Sequence, residues 1–253
     1  MKIWKQRKVY INYVLWRLGR RDILPNVIIN QTKIREIGSP LINIINNKKF
    51  SFSERATVRG GVWVRAELVP MLERAADNLP AGYKLHFFGG WRSMVVQWTA
   101  WLRNLENKRK EFPHLPEEAV KTISRQTSAS PENGFGPHQT GGAIDLTIVD
   151  KNGIELDMGT PFSDHSKRCV TKYNGVSDAA KANRRMLLRA MESADFLNYP
   201  GEWWHYSYGD RAWAAYCRKR HAIYGKVSCK DYQIKDAEQA IIKKNGVTLV
   251  AGE

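Results

Sequence analysis

Glu202 and His205 lie three residues apart in Tyr199-Pro200-Gly201-Glu202-Trp203-Trp204-His205-Tyr206, which sets a carboxylate and an imidazole beneath a pair of tryptophans. A neutral imidazole is a good zinc ligand, and a carboxylate held beside the metal can take a proton from the water that the metal activates. This stretch therefore supplies half of a metal site. His138-Gln139-Thr140-Gly141-Gly142-Ala143-Ile144-Asp145 offers the other half, a second imidazole and a carboxylate about a glycine turn. Two His and one Asp leave a fourth position open, which separates a catalytic zinc from a structural one. His138, Asp145 and His205 are thus expected to hold one Zn2+ per chain, with Glu202 as general base. Either half alone is more often structural. The two together make a complete set, and the other four histidines form no competing His-x-x-x-His or His-Glu-x-x-His arrangement.

Positioning these groups requires a scaffold, and its elements can be read in order. Leu68, Met71, Leu72, Ala75, Ala76 and Leu79 recur at helical spacing, and Pro80-Ala81-Gly82 ends that helix. Lys84 to Phe88 predicts a strand, after which Gly89-Gly90 turns the backbone and presents Trp91-Arg92. A second helix carries Met94, Trp98, Trp101, Leu102 and Leu105, and a third opens at Pro116-Glu117-Glu118. Residues 124–137 form a loop that delivers His138. Ala143 to Val149 alternates, placing Ile144, Leu146 and Ile148 on one strand face and Asp145 and Thr147 on the other. A helix is expected over Asn183 to Ala194, a strand over Trp203 to Tyr208 and a helix over Trp213 to His221. A small helix and a Val247 to Val250 strand complete the prediction. On a regular strand Glu202 and His205 would face opposite sides, so a shared site needs a bulge or bend at Pro200-Gly201. The expected fold is α+β: a small antiparallel sheet, helices packed on one face and the zinc site on the other.

The 253 residues, 43% hydrophobic and 11% aromatic, suffice for a sizeable core. We divide them into an N-terminal extension (1–60), a catalytic domain (61–225) and an appended C-terminal segment (226–253). A net charge of +15 favours anionic partners, but Lys and Arg are spread without a basic tail, so specific nucleic-acid binding is not expected. Cys169, Cys217 and Cys229 are odd in number and lack C-x-x-C spacing, which argues against a disulfide framework or a cysteine zinc site. Val9 to Trp16 is a short apolar run that holds Asn12 and is followed by Arg17, Arg20 and Arg21, a poor signal peptide. No apolar run approaches the ~18 residues that span a bilayer. A cytoplasmic location and no membrane span are therefore expected.

Gly136-x-His138-x-x-Gly141-x-Ala143-x-Asp145, followed by Glu202-Trp203-Trp204-His205, resembles the zinc D-alanyl-D-alanine dipeptidases, relatives of D,D-carboxypeptidases. Leu156 to Phe162 and Asn183 to Met191 extend the resemblance to roughly residues 60–210. It implies the same zinc ligands and the same base, and it implies that Arg92 stabilises the transition state. The substrate implied is a small dipeptide of the D-Ala-D-Ala type. This chain departs from the family pattern where Gly136 replaces Ser, where Gly89-Gly90-Trp91-Arg92-Ser93 replaces Asp-Gly-Tyr-Arg-Pro, and where Ser163 replaces Asp one step before Asp164. Trp91, Gly136, Ser163 and Asp164 are accordingly expected at substrate positions, with weaker discrimination for a free amino terminus. Two other readings remain: a carboxypeptidase or lysin acting on D,D- or L,D-peptides of peptidoglycan, and a non-catalytic zinc-containing module that binds peptide or nucleic acid.

Overall fold

The computed structural model describes residues 2–125, 128 and 130–247. In chain order these form α1 (Lys2–Arg17), α2 (Asn26–Asn30), β1 (Leu41–Asn43), β2 (Ser51–Phe52), α3 (Glu54–Val58), β3 (Trp63–Arg65), α4 (Leu68–Asp77) and β4 (Lys84–Gly89). There follow α5 (Met94–Glu111), α6 (Glu117–Ser124), β5 (Ala143–Val149), α7 (Asp178–Glu192), β6 (Leu197–Asn198), β7 (His205–Ser207), α8 (Arg211–Tyr216) and α9 (Asp236–Lys244). The architecture is α+β, as the sequence predicts.

The main sheet has the order β2-β4-β5-β7-β6, and β1 pairs with β3 apart from it. Four of the five strands are antiparallel to their neighbours. The exception is β2, which runs parallel to β4 with Ser51 opposite His86 and Phe52 opposite Phe87. A parallel pair needs a long crossover, here supplied by α3, β3 and α4. A two-residue strand such as β2 shows no period in sequence.

The helices pack where their periodicity directs them. Leu68 and Leu72 of α4 and Leu187 and Met191 of α7 are fully buried in one core with Ile144, Leu146 and Ile148 of β5. Each such side chain contributes about 1.5–3 kcal/mol of burial. The opposite face of β5 is covered too, for Asp145 and Thr147 are also buried. The site face is therefore an enclosed layer rather than an open surface.

Local signals set the element ends. The Ser177 hydroxyl accepts from the Ala180 N–H and starts α7 at Asp178, five residues ahead of the expected Asn183. Helix α8 stops at Tyr216, short of His221, where Arg218 takes a positive φ of 53°. The strand expected from Trp203 begins only at His205 because the preceding residues form a turn. From position 248 onward, the strand predicted over Val247 to Val250 lies outside the described residues. Cys169, Cys217 and Cys229 are free thiols. No helix among the described residues is long and apolar enough to cross a membrane.

Arg65 ties the distant parts together. It is buried, and its guanidinium donates to Glu36 (3.0 and 3.1 Å), to the carbonyls of Ser39, Thr140 (2.6 Å) and Gly225 (3.0 Å), and stacks over Tyr224. A lone charge in the apolar run Val62-Trp63-Val64-Arg65 was the signal in sequence, and it was missed.

Candidate metal centre

Asp145 in β5 sits directly opposite His205 in β7. Side chains so paired share one sheet face and lie within contact of each other. His138 reaches them from the short 3-10 turn Pro137–Thr140, which ends at Gly141 with φ +72° so that the chain can reverse into β5. The turn is locked on both sides: the Gly136 N–H donates to Gln139 Oε1 (2.8 Å), Gln139 Nε2 donates to the Arg92 carbonyl (3.2 Å), and the Arg92 N–H donates to the His138 carbonyl (3.3 Å).

The carboxylate of Asp145 lies between the two imidazoles. Its Oδ1 is 3.0 Å from His205 Nδ1 and its Oδ2 is 3.3 Å from His138 Nε2. One ligand atom from each of the three residues falls within 4.8 Å of the others. His138 Nδ1 is 2.8 Å from the Gly90 carbonyl, which fixes the tautomer with Nδ1 protonated and Nε2 bare. Burial lowers the His138 pKa and favours that neutral form. Burial would raise the pKa of Asp145, but imidazoles that carry a proton towards it outweigh burial and hold the carboxyl well below its ordinary value, and a metal in place of that proton would act in the same sense. His205 is raised: burial opposes its charge, and the hydrogen bond and charge of Asp145 prevail. A bare imidazole nitrogen facing a carboxylate oxygen at 3.3 Å is two acceptors without a donor between them. A cation satisfies both, so the donor set fits a divalent metal.

Glu202 is brought alongside by the predicted bend. Its N–H donates to the Tyr199 carbonyl (3.0 Å), the His205 N–H donates to the Glu202 carbonyl (3.2 Å), and Asn198 Nδ2 donates to the carbonyls of both Glu202 and His205 (3.1 Å each). Burial, and after it the charge of Asp145, raise the Glu202 pKa against the pull of His205 and Arg92. The neighbouring tryptophans are anchors: Trp203 Nε1 donates to Thr160 Oγ1 (2.9 Å), and the Trp204 ring meets Phe162 edge-on. Arg92 Nη2 stands 3.6 Å from Asp145 Oδ2, and its Nη1 donates to Gln97 Oε1 (3.2 Å).

The expected substrate residues fall less uniformly. Trp91 lines the cleft beside Asp145 and donates from Nε1 to the Val227 carbonyl (2.8 Å). Gly136 caps the His138 turn. Ser163 takes φ +67° on an exposed loop, and Asp164 accepts the Ser166 N–H at 2.8 Å. Sequence reasoning placed His165 in an irregular segment that could wall the pocket but gave it no role; its Nδ1 is 3.9 Å from Glu202 Oε1. Sequence reasoning missed Arg55, Arg59 and Tyr232, which line the cleft with Arg92. Arg55 and Arg59 stand four apart after the capping Ser53, one helix face's spacing.

A buried His-Asp-His set with a carboxylate of raised pKa nearby defines a candidate divalent-metal centre on an α+β scaffold. The D-ala-D-ala dipeptidase family model, Peptidase_M15, matches residues 64–224, and the chain belongs to that family. A D-alanyl-D-alanine dipeptidase of Synechocystis is 38% identical over 36% of this chain and 42% of its own length. One from Enterococcus faecalis is 31% identical over 57% of this chain and 72% of its own. Between them, the chain spans from about two fifths to under three quarters of these relatives' lengths. A solved vancomycin resistance D,D-pentapeptidase, VanY, in complex with Zn(II), aligns over 77% of this chain and 91% of its own at 15% identity and a TM-score of 0.43.

Proposed function

We propose that this chain hydrolyses small D,D-peptides of the D-Ala-D-Ala type, with zinc held by His138, Asp145 and His205. The observation that carries the reading is the Asp145 carboxylate between a tautomer-fixed His138 Nε2 and His205 Nδ1, with Glu202 bent in beside them. Zinc bound there supplies Lewis acidity, polarising the scissile carbonyl and lowering the pKa of water at the site from ~16 towards ~7.

The protein's own groups do the rest. Glu202, raised by burial, accepts a proton from the attacking water and returns it to the leaving amine. Arg92, held close to the set by Asp145 and Gln97, offers a fixed fork to the oxyanion that forms on the carbonyl oxygen. Asn198 fixes the bend that keeps Glu202 and His205 together. Asp164, already engaged by Ser166, is the candidate partner for a substrate ammonium, with Ser163 beside it. Because that acid is committed to a turn, N-acetyl-D-Ala-D-Ala is cleaved alongside the free dipeptide. A cytoplasmic location belongs to the same proposal and is tested by cell fractionation.

The experiment measures metal content by plasma emission and follows D-alanine release from free and N-acetylated D-Ala-D-Ala. The reading predicts about one zinc per chain, activity lost to a chelator and restored by zinc, and measurable cleavage of both substrates. A zinc-free protein that still releases D-alanine would overturn the metal assignment. Complete rejection of the acetylated dipeptide would show that another acid binds the ammonium.

A further inference from the structure

Three arginines line the cleft beside Asp145. Arg55 and Arg59 from α3 and its end, together with Arg92, line it with Trp63, Phe162 and Tyr232. Arg92 has Asp145 to answer its charge at 3.6 Å. Among the described residues Arg55 and Arg59 form no ion pair, and Asp145 is the sole acid lining the cleft. The Arg55 guanidinium lies over the Phe162 ring, 5.5 Å from its centroid, which keeps it at the cleft. Arg55 keeps part of its side chain in solvent; where it enters the cleft, desolvation and then the charges of Arg59 and Arg92 lower its pKa to about 10, against the pull of Asp145. Like charges four apart on a helix repel, and an anion between them relieves the repulsion.

Counting charge then decides the kind of substrate. Arg92 already faces Asp145 and feels the charge of Glu202, and neither acid pairs with Arg55 or Arg59, so at least those two positive charges remain. D-Ala-D-Ala brings one carboxylate, and its ammonium is repelled. A ligand with two carboxylates neutralises the pair. We propose that Arg55 and Arg59 are specificity residues that hold a second carboxylate, so that the preferred substrate is a small D,D-peptide containing an acidic residue. This rests on the peptidase reading above and names its substrate class. Arg55, Arg59 and Tyr232 all lie outside residues 64–224, the stretch matched by the family, so the preference belongs to the flanking segments of this chain.

The test compares kcat/KM for D-Ala-D-Ala, D-Ala-D-Glu and D-Glu-D-Ala in the wild-type enzyme and in an Arg55→Gln/Arg59→Gln double variant. One acidic dipeptide is expected to exceed D-Ala-D-Ala by at least tenfold, and the double variant to bring that ratio close to one. Independently, glutarate and butyrate are titrated against the as-purified protein by tryptophan fluorescence. Glutarate is expected to bind at least tenfold more tightly than butyrate in the wild type and about equally in the double variant, with Arg55→Lys/Arg59→Lys retaining part of the difference. Circular dichroism melting verifies that the variants are folded. If D-Ala-D-Ala is cleaved faster than both acidic dipeptides and glutarate binding ignores the arginines, the subsite is overturned while the peptidase reading stands. If no dipeptide is cleaved but glutarate binding depends on the two arginines, the peptidase reading fails and the anion subsite stands.

Discussion

At the scale of single residues, the proposed mechanism gives Glu202 and His205, three apart, different duties. His205 offers Nδ1 to the centre beside Asp145, while Glu202 stands off it with a carboxyl pushed up by burial. Glu202→Ala is expected to lower kcat by roughly 10²–10⁴-fold, the usual worth of a positioned base, with zinc content unchanged. His205→Ala is expected to lose the metal and the activity together. Retained turnover in Glu202→Ala would remove the base assignment. That His138, Asp145 and His205 come together was legible in sequence because a metal site needs particular donor atoms, and these two stretches combine them. The approach of His165 to Glu202 was not legible: a histidine in an irregular segment has no spacing to betray its partner, and only the folded loop brings its Nδ1 to 3.9 Å from Glu202 Oε1.

At the scale of elements, the centre depends on how the end of β4 meets the His138 turn. A Cβ at Gly90 would lie 2.5 Å from the Trp63 carbonyl oxygen, and it is the Gly90 carbonyl that fixes the His138 ring. Gly90→Ala should therefore cost about 1–3 kcal/mol through overpacking. By displacing the partner of Nδ1 it should also weaken zinc binding by roughly 10–100-fold. Thermal melting and competition with a fluorescent zinc chelator measure the two effects, and an unchanged zinc affinity would show that the carbonyl is dispensable. The apolar stripes of α4 and α7 were readable because a half-buried helix imposes a period, and the alternation of Ala143 to Val149 because one buried face of β5 meets the apolar core and the other carries Asp145 and Thr147. The parallel pairing of β2 was not, since register between two-residue strands is set by tertiary packing.

For the whole molecule, Arg65 is the joint between the flanking segments and the centre. Arg65→Met would keep much of the side-chain volume but leave Glu36 and the carbonyls of Ser39, Thr140 and Gly225 without their donor. Glu36 is exposed enough to be resolvated, but three buried carbonyls left without a donor cost about 1–3 kcal/mol each, so denaturant unfolding should detect a loss of at least ~3 kcal/mol. Zinc affinity should fall with it because Thr140 belongs to the His138 turn. A loss below ~1 kcal/mol would mean that the flanking segments dock without this joint.

The acceptors of Arg65 also order events in time. Gly225 follows it by 160 residues, and at typical synthesis rates the ribosome needs roughly 10–30 s to cover that distance. Throughout that interval a nascent chain carries an arginine whose buried environment is incomplete. The loop bearing His138 emerges halfway through the same interval, before its final brace exists. If the proposed zinc site is right, its metal would be acquired late in biogenesis, and a chain that ended between positions 206 and 224 would carry both histidines and the aspartate without the brace that steadies them.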